Sequence, residues 1–227
     1  MESKMTSPIA AKIIAEHLLN INAIMFLLEK PLRFKSGMVS PIYVDNRCLI
    51  FHPEAWHDVI EALSSDIEAR KLEFDIIAGV ELAGIPHASA LAYRLNMPNI
   101  FVRKQPKTHG TKNRVEGGDV RGKRVLLIED HISTGLSSLD CVEALRESGA
   151  IVDDCMSITS YNFIEAINAF ANARVTPHTL QTFDTILDIA VKTGRISDKQ
   201  KEIVEDWLND PWTWSRRHGL VPAATEN

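Results

Sequence analysis

The chain has 227 residues, of which 45% are hydrophobic and 24% charged, with a formal net charge of −5. That composition fits one α/β domain with appendages. It argues against a membrane span, since no apolar run approaches the roughly 20 residues a bilayer requires. The acidic balance points away from a nucleic-acid partner. Met1 to Met5 lack a secretory pattern, and Cys48, Cys141 and Cys155 are odd in number and widely spaced. They read as reduced, packed thiols, so a cytoplasmic protein is expected, with neither a disulfide frame nor a protein-built metal site.

Residues 9 to 29 carry a helical period through Ile9, Ile13, Ile14, Leu18 and Ile21, followed by an apolar patch from Ala23 to Leu28, with Pro31 as the stop. The stretch from Phe34 to Arg47 then alternates turn pairs (Ser36-Gly37, Ser40-Pro41) with a half-exposed strand pattern over Ile42 to Asp45. Pro53 opens a helix to about Lys71, with Trp56, Val59, Ile60 and Leu63 inward. Phe74 to Val80 reads as a buried strand, running through the loop Glu81-Leu82-Ala83-Gly84 into a helix over 88–95. Another short strand is expected at 98–102.

The segment from Arg103 to Gly118 has neither helical nor strand period. A stretch that long inside a compact domain is a lid or a disordered loop. From Arg103 to Arg124 there are eight basic residues against two acidic ones, a local positive field on an acidic protein. That field suits a small polyanion.

Val125 to Ile128 is a buried strand that meets two adjacent carboxylates, Glu129 and Asp130. His131 and Ile132 follow, then the hydroxyl-rich turn Ser133-Thr134-Gly135-Leu136-Ser137-Ser138 and a helix with Leu139, Val142 and Leu145 on one face. Strand, tight loop and helix N-terminus in that order form an anion site at the carboxyl end of a parallel sheet. The carboxylates cannot face a phosphate, so they suit sugar hydroxyls or a metal beside it. A strand at 150–159, a helix at 164–172 and a short strand at 179–182 complete the core. The rest, from Phe183 to His218, is mostly helical. Three of the four tryptophans lie there and are expected to dock the tail on the core or on a subunit interface.

The stretch from Val125 to Ser138 resembles the PRPP-binding motif of the type I phosphoribosyltransferases. The stretch from Phe34 to Arg47 resembles the hood of orotate phosphoribosyltransferases (Phe-x-x-Ser-Gly-x-x-Ser-Pro-x-Tyr-x-Asp-x-Arg), and Arg103-Lys104-x-x-Lys107-x-His109-Gly110 resembles their mobile loop. The resemblance implies an α/β type I phosphoribosyltransferase fold. A central parallel sheet would be flanked by helices, with residues 1–50 as N-terminal helix and hood, 51–182 as core and 183–227 as tail. It implies transfer of phosphoribose from PRPP to orotate, with Mg²⁺ held mainly by PRPP. The working unit would be a homodimer whose lid loop reaches the neighbouring site. Glu129 and Asp130 would hold the ribose hydroxyls, and Ser133 to Ser138 the 5′-phosphate. Glu81, Leu82, Ala83 and Gly84 would lie against the pyrophosphate with Arg103, Lys104, Lys107 and His109. Lys107, His109 and Asp130 would carry catalysis, and Lys35, with Ser133, would meet orotate. His131 departs from the usual aliphatic residue, and the Arg that many members carry after the fourth strand is missing. Another nucleobase, or a PRPP-sensing regulator, are the alternatives.

Overall fold

The computed structural model describes residues 8–34, 36–105 and 113–220. Helix α1 (Pro8–Asn20) is shorter than its apolar pattern suggests. Asn22 takes a left-handed conformation (φ 56°), and the Ala23 N–H closes back on Leu18 O at 2.9 Å. The second apolar patch therefore leaves the helix and becomes strand β1 (Ile24–Phe26). It pairs antiparallel with β4 (Ile42–Val44), and β2 (Leu32–Arg33) pairs with β3 (Val39–Ser40). These two small ribbons form the hood. A 3₁₀ turn over Asn46–Phe51, capped by the Asp45 carboxylate, leads into α2 (Pro53–Arg70).

The main sheet is built from β5 (Ile76–Val80), β6 (Asn99–Val102), β7 (Val115–Glu116), β8 (Arg124–Ile132), β9 (Ile151–Ser160) and β10 (Thr176–Thr182). Its spatial order is β10-β9-β8-β5-β6-β7, parallel throughout except for β7. That short edge strand falls in the segment where the sequence shows no period. It forms because the β6 edge offers unpaired backbone groups, and the Arg103 N–H donates to Arg114 O at 2.9 Å beside it.

Alternate residues of each strand face opposite ways, so the sheet divides two cores. Ile77, Leu126, Ile128, Met156 and Ile158 pack against α1, α2, α3 (Gly84–Leu95) and α6 (Phe183–Lys192). Ala78, Val80, Val125, Leu127 and Cys155 pack against α4 (Leu136–Glu147) and α5 (Ile164–Ala173). Helix α3 approaches the sheet closely. A Cβ on Gly84 would collide with Ile128 O, and one on Gly79 would stand 2.7 Å from Ile85 Cα.

The tail folds back on the hood. Helix α7 (Asp198–Asn209) starts at a capping box formed by Ser197 and Gln200, and one turn, α8 (Trp214–Arg217), follows. Trp207 and Trp214 are buried, whereas Trp212 is half exposed and donates to Glu165 Oε1. The Trp207 indole N–H donates to Val39 O at 2.8 Å, and its ring lies edge-on to Tyr161 and Phe163. The tryptophans thus dock the tail on this chain's own core. Truncating Trp207 to Ala would open a large cavity and orphan the Val39 carbonyl. A loss of about 3–5 kcal/mol is expected, read as a lower urea midpoint.

Candidate active site

Strand β8 runs four residues past the end of its apolar run, through Glu129, Asp130 and His131 to Ile132. The carboxylates therefore sit on the strand itself, beside β9, and are held more rigidly than a loop would hold them. Gly135 then turns the chain (φ 79°) into α4. A side chain at this position would be strained, and its Cβ would stand 2.8 Å from the Phe170 ring. No side chain caps α4, so its first N–H groups point outward unpaired by the helix.

A cavity of about 310 Å³ lies over this turn. It is lined by Glu81 to Ala83, by Lys104 and by the unbroken run Glu129 to Ser138. The loop after β5 and the strand–loop–helix unit after β8 thus meet, although some 45 residues separate them in sequence. The Glu81–Leu82 peptide bond is cis, and the Glu81 carboxylate accepts the Lys104 N–H at 2.7 Å. That bond ties the loop to the start of the basic segment. Of the residues singled out by sequence, Gly84 is buried in the first turn of α3 against the β8 backbone rather than in the cavity lining. Arg103 lies off the cavity as well, 3.8 Å from Glu116 Oε1. Lys35, Lys107 and His109 fall outside the described residues.

The acidic pair is electrostatically stressed. Glu129 is buried, and its partners are weak: the Ser138 hydroxyl donates at 3.2 Å and the Asp130 N–H at 3.2 Å. Burial, then the neighbouring Asp130 charge, pushes the Glu129 carboxyl well above the ordinary carboxylate range. Burial also raises Asp130, opposed by its hydrogen bonds with Glu129 and with the His131 and Asp130 backbone N–H groups and, least, by the Arg47 charge. A buried carboxylate with weak donors, next to a second one at the floor of a polar cavity, is arranged to receive hydroxyl groups or a cation.

Two further residues, Asn46 and Thr159, join the site. Asn46 Nδ2 donates to Asp130 O at 2.7 Å and to Thr159 Oγ1 at 2.8 Å, and Thr159 Oγ1 is hydrogen-bonded to His131 Nδ1 at 2.9 Å. His131 lies edge-on to Tyr161, and burial lowers its pKa to about 3, so it stays neutral. Asn46 is buried between hood and sheet. It lies inside the Tyr-x-Asp-x-Arg pattern, at one of the positions the pattern leaves free. Nothing in the sequence marks Thr159.

The fit between the acidic pair and its ligand can be read by pH. A carboxyl raised in the fold contributes stability fully present below its unfolded value and lost as pH rises through the folded value. Glu129→Gln should therefore raise the melting temperature at pH 8, by an amount that shrinks as pH falls toward about 4.5 and is lost below it. Ligand hydroxyls donating to the pair favour its ionised form. Binding of a hydroxyl-bearing ligand should then release a proton, seen as a calorimetric heat that depends on the buffer's ionisation enthalpy.

Residues 50–161 match the family model for the phosphoribosyl transferase domain. The chain is 46% identical to the orotate phosphoribosyltransferase of Coxiella burnetii over 201 residues, covering 88% of this chain and 96% of that one. It is 38% identical to that of Bacillus subtilis over 203 residues, covering 89% and 94%. Among solved structures, the orotate phosphoribosyltransferase of Aeropyrum pernix superposes with a TM-score of 0.69 at 28% identity, covering 81% of this chain and 99% of that one. With a doubled acidic strand end, an uncapped helix N-terminus and a facing loop in one cavity, the chain belongs to the orotate phosphoribosyltransferase family.

Proposed function

We infer that this chain transfers the phosphoribosyl group of PRPP to orotate, giving orotidine 5′-monophosphate and pyrophosphate. The observation that carries the reading is the cavity itself, in which two under-solvated carboxylates stand beside free helix N–H groups. A phosphorylated sugar satisfies both at once. The turn Ser133 to Ser138 takes the 5′-phosphate on backbone N–H groups and hydroxyls. Glu129 and Asp130 accept from the ribose hydroxyls. Glu81 to Ala83 and Lys104 lie at the other wall, where the pyrophosphate belongs.

Displacement at the anomeric carbon builds positive charge on the sugar and negative charge on the leaving pyrophosphate. No protein nucleophile is needed, so positioning and charge stabilisation do the work. Asp130, its carbonyl fixed by Asn46, holds the ribose as positive charge grows. Lys104, joined by Lys107 and His109 of the basic segment, neutralises the leaving group. The donor set also fits Mg²⁺. Two hard carboxylates are present, and among the described residues no cluster of three or more His, Cys, Asp or Glu forms a cage. Such a site suits a cation shared with substrate oxygens. Mg²⁺ brought in on PRPP would supply Lewis-acid stabilisation to the departing pyrophosphate.

The working unit is proposed as a homodimer with the basic segment closing over the neighbouring site. Leu82 and Leu136, at the cavity wall, are 68% and 72% exposed, and Phe51 and Tyr93 expose large rings elsewhere. These are apolar surfaces that a lid and a two-fold interface would cover. A cytoplasmic setting is supported by three free thiols, and no described helix is long and apolar enough to cross a membrane.

The reading is tested by following loss of orotate ultraviolet absorbance. Loss should require protein, PRPP and Mg²⁺ together; no loss with all three present would refute the reaction. Lys107→Ala should lower turnover by roughly 10²-fold or more at an unchanged melting temperature. Asp130→Asn should weaken PRPP far more than orotate. Mixing the two inactive variants should restore about a quarter of wild-type activity if the lid crosses a two-fold interface with random pairing, and none if it closes on its own subunit.

A further inference from the structure

Orotate carries a carboxylate that must be balanced when it enters. In the proposed reading two sides of the cavity take phosphates: the α4 N-terminus with its hydroxyls, and the wall formed by Lys104 and Glu81 to Ala83. The remaining neighbour of the acidic pair is the hood, joined to it by the Asn46 amide on Asp130 O. The base must therefore lie between hood and β8–β9. The segment after β9 brings no cation there. It reads Tyr161-Asn162-Phe163, with Tyr161 and Phe163 buried among aromatic rings.

Arg47 follows Asn46 directly. Its guanidinium is held in a fork by Asp45, with Nε donating to Oδ1 at 2.6 Å and Nη2 to Oδ2 at 2.8 Å, while Nη2 also reaches Tyr43 Oη at 3.3 Å. Among the described residues Nη1 has no hydrogen-bond partner, and the side chain is 54% exposed. Asp45 is itself oriented, accepting the Arg47 N–H as the cap of the 3₁₀ turn. The group is thus a planar cation, fixed in angle, with an unused edge. It is close enough to the cavity floor for its charge to be felt by Asp130. A half-exposed ion pair such as Arg47–Asp45 contributes little by itself, so the guanidinium can be shared with a second carboxylate at small cost. A fork of N–H donors is matched to a planar carboxylate, which a lysine point charge is not.

We propose that Arg47 determines specificity for orotate by binding its carboxylate, with Asp45 as the residue that positions it. This assignment rests on the orotate reading above and adds to the sequence-based expectation for Lys35 a second cation, on the hood. Tyr43, whose hydroxyl meets the same guanidinium, would form the adjoining wall for the ring.

The test compares wild type, Arg47→Gln and Arg47→Lys with orotate and with uracil, which lacks the carboxylate. In Arg47→Gln, kcat/KM for orotate should fall roughly 10²-fold, the scale of one lost charge-assisted hydrogen bond. The KM for PRPP should stay within about threefold, and the already low uracil activity should not fall, so that the orotate-to-uracil preference collapses. Arg47→Lys should recover part of the orotate loss, because charge returns without the fork. Equal losses for orotate and uracil, or a parallel rise in the KM for PRPP, would overturn the proposal and leave Arg47 as a structural brace of the hood. An unchanged orotate KM in Arg47→Gln would overturn it too. If Arg47→Gln does not fold, full orotate preference in a folded Arg47→Lys would overturn the need for a fork. Wild-type protein that consumed uracil but not orotate would refute the orotate reading itself and this role with it.

Discussion

Two carboxyl groups on consecutive residues at a buried strand end repel each other and lack solvent, and the rest of the site is arranged around that fact. Glu129 has a single hydroxyl and one backbone N–H to lean on, both at 3.2 Å. The fold tolerates this because β8 is flanked by β5 and β9 and cannot move the pair into water. Donors brought by a ligand would offset that cost, so the strained pair favours a ligand rich in hydroxyls. Such destabilisation at a functional position is what a binding site requires and a purely structural strand would avoid.

The hood connects to this centre through one amide. Asn46 bridges Asp130 O and Thr159 Oγ1, so the hood and the acidic end of β8 are held in one frame. Behind them, Tyr161, Phe163, Phe183 and Trp207 form a packed aromatic block, with His131 edge-on to Tyr161. Burial leaves His131 neutral. At this position it is a packed polar spacer between Thr159 and the aromatic block.

Much of this was legible in the sequence because it depends on local pattern. The apolar run ending at Glu129-Asp130, the small residues around Gly135 and the Pro53 helix start each follow from nearest-neighbour chemistry. The α1 boundary was misjudged because Asn22 in a left-handed turn leaves hydropathy unchanged while reversing the chain. The β7 strand was missed because two residues are too short to show a period; only the open β6 edge creates it. Gly84 looked like a ligand glycine, yet the β8 backbone explains it, since helix–strand approach and phosphate approach call for the same residue. The Asn46–Thr159–His131 chain spans 113 positions between its hood and β9 members and has no signature in any window of sequence.

The bond from Trp207 to Val39 has a consequence for the order of events during synthesis. Its partners are 168 residues apart. The hood is made early, but it lacks its indole partner until α7 has left the ribosome. Contacts of such long range close late, after local helices and neighbouring strands have formed. The nascent chain can therefore have a completed sheet and an assembled β8–α4 turn while the hood still lacks its anchor to the tail.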